Sequence, residues 1–518
     1  MHFKVGKISL KIFLQRILSR WIPACVMALA LCTCASCSPR TASSNSQASS
    51  LTGTVDIVTP TGNSAMSSNL PLNNWESIRS SLVKSLKTHG FVDSQISESH
   101  YSDLSAQINQ IKRITNTYKA EKDKHPHTLI FAPHQPIKTS YATAIAQRFG
   151  DTVTQNTLNN DELEFDNLSD SQQDEYTSLH KQLASALKDA QDNGITVVLM
   201  SHKVPDFSEN YFISFATAQS IARIQTDNLV RKLQLDKATI KNPQAIEIII
   251  PLNVGAQFAQ QLFSASWKIL KPYYTTGVAF SPSGLLDANS TEDDWRNVSV
   301  PDDSADSISS ALKVRLTSSD ESSNNAIVNV DGILAFNDYI AQGAVSALTE
   351  LGFTGSSAQV NPDVTLDSII KKLSDNVDVH KQRVPQPNNS STDDTNTTDS
   401  NSQDSQSTPY KKRNPQPNHT ILTWPIVTGF GTYIDAIADI VNGKIWISSA
   451  EERNSVVSSI AALSRAICEK KTSPSQLEKS VPNIQNNTVT APLFAVNSDN
   501  LKKTLLDTGY ITPAEAGL

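Results

Sequence analysis

Cysteine is scarce in this chain of 518 residues: five in all, four of them (Cys25, Cys32, Cys34, Cys37) within one short apolar stretch and only Cys468 in the body. That excludes the disulfide framework of a small secreted scaffold. Basic charge is not in excess either, since 44 Lys and Arg stand against 51 Asp and Glu for a net charge of −7, and nucleic acid is not expected as a partner. No Gly-rich phosphate loop, His-Glu-x-x-His helix or Gly-x-Ser-x-Gly elbow occurs, so no catalytic residues are assigned and an enzyme is not expected. Neither a cofactor nor a metal is called for. His125, His127 and His134 lie close together, but with no carboxylate at ligand spacing they read as solvated loop histidines. Length alone suits two or three domains.

What is present begins with an address. Residues 1 to 20 carry Lys4, Lys7, Lys11, Arg16 and Arg20 with no acidic residue, and an uncharged apolar run follows to Ala35. This is the pattern of an export signal, too short for a comfortable membrane span. Cys34-Ala35-Ser36-Cys37 resembles a bacterial lipobox, with Cys34 where Leu is usual. The resemblance implies cleavage after residue 36 and lipidation of Cys37, an ordinary cleaved signal or a Cys-x-x-Cys pair being the alternatives. Residues 37–53 then form a polar tether. Loss of residues 1–36 would take the net charge from −7 to −12.

Beyond the tether, short β-branched runs alternate with helical patterns, as in βαβ units on parallel sheets. Strands are predicted at Thr54–Pro60, Thr128–Ala132, Ile195–Met200, Ala245–Ile250, near Val278, at Gly332–Phe336 and at Ile421–Val427. Between them lie helical stripes such as Trp75, Ile78, Leu82 and Leu86, with Asn73 as N-cap and Gly90 as the stop. Two doubly wound lobes account for this count. From Asn388 to Thr408 all 21 residues are Ser, Thr, Asn, Asp or Gln, flanked by near-repeats (381–388 and 411–418) sharing six of eight residues. This reads as a disordered insertion over 380–418. A smaller polar stretch, 152–174, is expected to project from the fold.

Two positions invite a ligand. Asn337-Asp338 follows an apolar strand and opens a helix, at the carboxyl edge where doubly wound proteins bind ligands, or else it merely caps that helix. Trp75 could stack on a sugar ring or serve as a core anchor.

The ordered segments Leu270–Tyr273, Asp331–Ala344, Pro425–Gly429, Ile440–Gly443 and Val496–Tyr510 resemble the type 1 periplasmic binding proteins, most closely their xylose and multiple-sugar branch, over nearly all of residues 54–518. The resemblance implies an α/β fold of two Rossmann-like lobes with parallel sheets, joined by a three-strand hinge around a ligand cleft. It places lobe one at 54–215 plus 430–487 and lobe two at 216–429 plus 488–518, with crossings near Ile213–Thr217, Gly429 and Thr488. The implied activity is capture of a carbohydrate and its delivery to the permease of an ABC importer, by a monomer lipid-anchored on the extracytoplasmic side of the cell membrane. An alternative is a degenerate member acting as a receptor or interaction protein. The implied ligand-binding positions are Asn74, Trp75, Ser201, His202, Phe258, Asn337, Asp338 and Phe430. The branch's charged set is largely replaced: Ser201-His202 stands for Asp-Arg, Ala216-Thr217 for Asp-Asn, Asn74 for Arg, Phe258 for Asn and Phe430-Gly431 for Gln-Asp. Only Asn337-Asp338 is kept, which implies a less polar or larger ligand.

Overall fold

Thr54–Pro60, rich in β-branched residues, forms β1, between β2 and β3 in the first of two large, mainly parallel sheets in the computed structural model, which describes residues 51–62, 69–134, 140–154, 169–318, 326–358 and 422–514. The export signal, Cys37 and the 380–418 insertion lie outside the described residues.

Around β1 are α1 (Trp75–Thr88), β2 (Ile96–Tyr101), α2 (Leu104–Ala120), β3 (His127–Phe131), α3 (Ser140–Phe149), α4 (Asp170–Asp192), β4 (Ile195–Met200) and β5 (Tyr211–Ser214). The next stretch runs α5 (Ala218–Lys232), β6 (Gln244–Ile248), β7 (Ile250–Pro251), α6 (Ala256–Thr275), β8 (Ala279–Phe280), β9 (Ser299–Val300), α7 (Ala305–Leu316), β10 (Gly332–Leu334) and α8 (Asp338–Glu350). After it come β11 (Ile426–Phe430), helix Ile437–Val441, β12 (Ile447–Glu451), helices Arg453–Cys468 and Pro474–Ser480, β13 (Ile484–Gln485), β14 (Thr488–Thr490) and β15 (Leu493–Val496).

Sheet one runs β13-β14-β5-β4-β3-β1-β2 and sheet two β15-β12-β11-β10-β6-β8, each parallel except where β13 and β15 join. Apart from β13, β14 and β15 the two orders are the same, 2-1-3-4-5, with the switch point between β1 and β3 in one and between β6 and β10 in the other. Helices cover both faces of each sheet. In lobe one, α1 packs on helix Arg453–Cys468 and α2 on α4; in lobe two, α5 packs on α6 and α7 on α8. Burial on both faces leaves every residue of β3, β6 and β11 buried, the polar His127, Thr128, Gln244, Glu247 and Thr428 included.

The chain passes between the lobes three times. β5 leaves sheet one and the chain enters α5, which packs on β11; β12 leaves sheet two and Glu452 leads into helix Arg453–Cys468; β14 leaves sheet one and becomes β15 after Ala491-Pro492. This moves two expected boundaries. β12 pairs in parallel with β11 through Phe430↔Ser449, so residues 430–451 stay with sheet two rather than lobe one. β14 pairs with β5, so 488–490 stay with sheet one.

Local corrections have local causes. The N-cap of α1 is Asn74, not Asn73: its side chain accepts the Ser77 N–H at 2.8 Å and the Ser77 hydroxyl accepts the Asn74 N–H at 3.1 Å. β2, with Ser, Glu, Ser and His in sequence, is an edge strand that periodicity did not single out. His127 is no loop residue; it is buried in β3 with Nε2 2.7 Å from Asp56 and Nδ1 2.8 Å from the Thr54 hydroxyl. His125 is exposed and His134 half-buried. Thr152–Thr154 do not project but are buried, and the far end of that polar stretch is the start of α4.

Candidate functional site

Each sheet ends toward the other lobe in a strained three-residue turn. After β4, Ser201 takes φ of +67° and the His202 N–H closes on the Met200 carbonyl at 2.8 Å; after β10, Phe336 takes φ of +51° and the Asn337 N–H closes on Ala335 at 2.6 Å. Non-glycine residues visit this region rarely and at a cost, and these two turns stand at the carboxyl edges of the two sheets, where the ligand cleft is expected.

The polar residues expected at that cleft are mostly spent on the fold. Asn74 is the α1 cap. Trp75 is a core anchor, 2% exposed and edge-on to Phe215 with centroids 5.9 Å apart. The fully buried Ser201 hydroxyl lies 2.8 Å from His202 Nδ1. Burial, assisted by the nearby His180, pulls the His202 pKa down to about 4, so the ring is neutral near pH 7. Although the residue as a whole is half-buried, its Nε2 is screened from solvent and has no hydrogen-bond partner.

Asp338 is also turned inward. Its carboxylate accepts the Ser448 hydroxyl at 2.7 Å and the Tyr433 N–H at 2.9 Å, and burial pushes its pKa up to about 7. The carboxylate occupies the space a Cβ would need at position 429, which is why that residue is glycine. Asn337 caps α8 through the Ile340 N–H, while its buried Nδ2 has no hydrogen-bond partner.

Phe258, at the start of α6, and Phe430, at the end of β11, do come together, but around a third ring. Phe149, the last residue of α3, lies 5.0 Å from Phe258 at 62° and 6.3 Å from Phe430 at 34°. All three rings are at least 94% buried. Ile145, Phe149 and Val153 share one buried cluster with Leu262 and Phe263 of α6. Thus a segment that leaves sheet one between β3 and β4 packs its apolar side into lobe two. Its end is held by the Tyr433 hydroxyl, which donates to the Arg148 carbonyl at 2.8 Å, and by the Arg148 guanidinium, 3.4 Å from the centre of the Tyr339 ring and 3.9 Å from the Asp302 carboxylate.

Glu451, last residue of β12, is the residue that sequence reading missed. Its carboxylate accepts the Ala216 N–H at 2.9 Å, the Thr152 hydroxyl at 2.8 Å and the Asn73 amide at 3.4 Å. Burial pushes its pKa up to about 7. Ser448 and Ser449 interrupt the apolar signal of this strand, so no sequence pattern marked Glu451 as its end. Among the described residues no group of three or more His, Cys, Asp or Glu could hold a metal ion, and no helix is long and apolar enough to cross a membrane.

The chain matches no known protein family and no curated protein in sequence. Solved structures similar to it include an ABC transporter solute-binding protein from Clostridium phytofermentans with bound β-D-glucose, 17% identical over 89% of this chain and 99% of that one, at a TM-score of 0.43. A carbohydrate transporter solute-binding protein from Chloroflexus aurantiacus in complex with D-glucose is 14% identical over 89% and 98%, also at 0.43. A periplasmic ribose ABC transporter protein from Conexibacter woesei is 10% identical over 88% and 96%, at 0.42.

Proposed function

We propose that this chain is an extracytoplasmic solute-binding protein that captures a small ligand, a carbohydrate, between two lobes and delivers it to the permease of an ABC importer. The observation that supports this most is topological. Two sheets of one strand order turn their carboxyl edges, each with its strained turn, toward a common cleft, and three chain crossings beside that cleft let the lobes open and close. Capture by closure involves no covalent step, so the reading is of a binding protein and not an enzyme. Lipidation at Cys37 would hold it at the membrane by its tether.

A second reading, a receptor or interaction protein, is favoured by one observation: the Asp338 carboxylate and the side-chain oxygens of Asn74 and Asn337 are engaged inside the protein and the aromatic rings pack on Phe149. A thermal-shift screen against pentoses, hexoses and short oligosaccharides separates the two. A ligand at about 100 times its dissociation constant adds roughly 2.7 kcal/mol, a shift of a few degrees. Silence for every sugar would sink the importer reading. Incorporation of labelled palmitate, abolished by Cys37→Ala, tests the anchor.

A further inference from the structure

We propose that Phe149 stands in the place of a ligand ring, so that α3 is an internal occupant of the cleft and a ring-bearing ligand with an apolar face binds by exchanging with it against Phe258 and Phe430. The inference rests on reading the cleft as a ligand site and deepens it by naming the ligand's chemistry.

Three observations carry it. First, α3 belongs by connection to lobe one, between β3 and β4, yet its apolar residues Ile145 and Phe149 join the buried cluster of lobe two. It therefore joins the chain of lobe one to the core of lobe two. Second, among the described residues its fastenings to lobe two beyond the apolar packing gather at its last turn: the Tyr433 hydroxyl on the Arg148 carbonyl, the stacking of Arg148 on Tyr339, and the Arg148 guanidinium beside the carboxylate and carbonyl of Asp302. The residues after it are pinned at the hinge instead, Thr152 to Glu451 and Thr154 to the Phe215 N–H, so undocking α3 leaves it on a short tether. Third, the rings it packs against come with an unused donor at the same edge of sheet two: Asn337, which follows the neighbouring strand β10, keeps Nδ2 buried and without a hydrogen-bond partner. A ligand offering an apolar ring face and an acceptor oxygen would satisfy both.

Exchange has a thermodynamic signature. An internal competitor lowers the apparent affinity by the fraction of molecules whose site is free, and removing the competing ring restores it. An aromatic contact of this kind is worth up to about tenfold in binding.

Two measurements on the full chain test the proposal. Hydrogen exchange is expected to show the amides of 145–149 opening while those of β4 and β11 stay protected. Exchange of α3 only together with both sheets would overturn the proposal whatever the ligand. In parallel, 4-nitrophenyl β-D-glucopyranoside and 4-nitrophenol are titrated into wild type, Phe149→Ala and the Phe149→Ala/Phe258→Ala double variant. Phe149→Ala is expected to bind the glycoside about tenfold more tightly than wild type, with the gain lost in the double variant. No gain in a Phe149→Ala protein that keeps wild-type protection in β4 and β11 would overturn the exchange. A gain for 4-nitrophenol equal to that for the glycoside would uphold the exchange and remove the carbohydrate reading.

Discussion

The Glu451 carboxylate accepts the backbone N–H of Ala216 at 2.9 Å, joining the second interlobe crossing to the first across 235 positions of sequence. The same group takes the Thr152 hydroxyl, so one buried acid holds together two crossings and the segment that follows the cleft-filling helix. Replacement by alanine would orphan the Ala216 N–H and the Thr152 hydroxyl together, each costing about 1–3 kcal/mol, while the Asn73 amide keeps its bond to the backbone carbonyl of residue 451 at 2.8 Å.

Stability is expected to fall as pH rises from about 4 to about 7. Glu451 and Asp338 each hold their proton to about pH 7 when folded, because burial disfavours the charged form. Unfolded, they lose it near the ordinary values of about 4.3 and 3.9, so in this window the native state binds more protons and loses stability with rising pH. His202 acts in the opposite sense. Its folded pKa of about 4 lies below its unfolded value of about 6.5, and its contribution is lost as pH falls through that range. Urea unfolding at pH 5 and pH 8 should give the higher midpoint at pH 5, with the difference reduced in Asp338→Asn. A higher midpoint at pH 8 would contradict the burial of the two acids.

Gly429→Ala should destabilise by about 1–3 kcal/mol, since the new methyl would meet the Asp338 carboxylate in a packed interior. A double-mutant cycle with Asp338→Ala checks the cause. The two substitutions together should cost less than the sum of the singles.

Arg315 reaches Glu247 at 3.2 Å inside lobe two and also donates to the carbonyls of Ile248 and Ser299. Burial raises the pKa of the carboxyl and lowers that of the guanidinium, so each depends on the other. Arg315→Met is expected to cost about 3–5 kcal/mol by leaving a buried charge alone. Adding Glu247→Leu should recover much of it, and calorimetric melting of the single and double variants measures the recovery.

Tyr433→Phe removes one hydroxyl and its donation to the Arg148 carbonyl, about 0.5–1.5 kcal/mol. The effect should be concentrated in α3. Faster amide exchange at 145–149 with β11 unchanged is the expected result; uniform change across lobe two would mean the hydroxyl has no special hold on that helix.

The strands most legible in sequence are those buried on both faces or bounded by a clear turn: Thr54–Pro60 and Ile195–Met200 were readable to the residue. β2 and β12 were not, since an edge strand with polar residues and a strand with paired serines carry little apolar signal. That omission displaced the second crossing by some twenty residues, since without β12 the chain would return to lobe one directly after Phe430. The expected positions Phe258 and Phe430 were found together, while Asn74, Trp75 and Asp338 proved to be cap, core and buried acid.

By itself the sequence determined the alternation of strands and helices, and with it two doubly wound lobes, because apolar periodicity is a local property that burial imposes wherever the chain folds. Only the tertiary structure decided which way the cleft-edge side chains turn, where the chain changes lobes, and that Phe149 lies between Phe258 and Phe430. Those outcomes depend on partners a hundred or more positions away, such as Ser448 for Asp338 and Ala216 for Glu451, and a carboxylate's partner is chosen by packing and desolvation in the assembled core rather than by its neighbours in the chain.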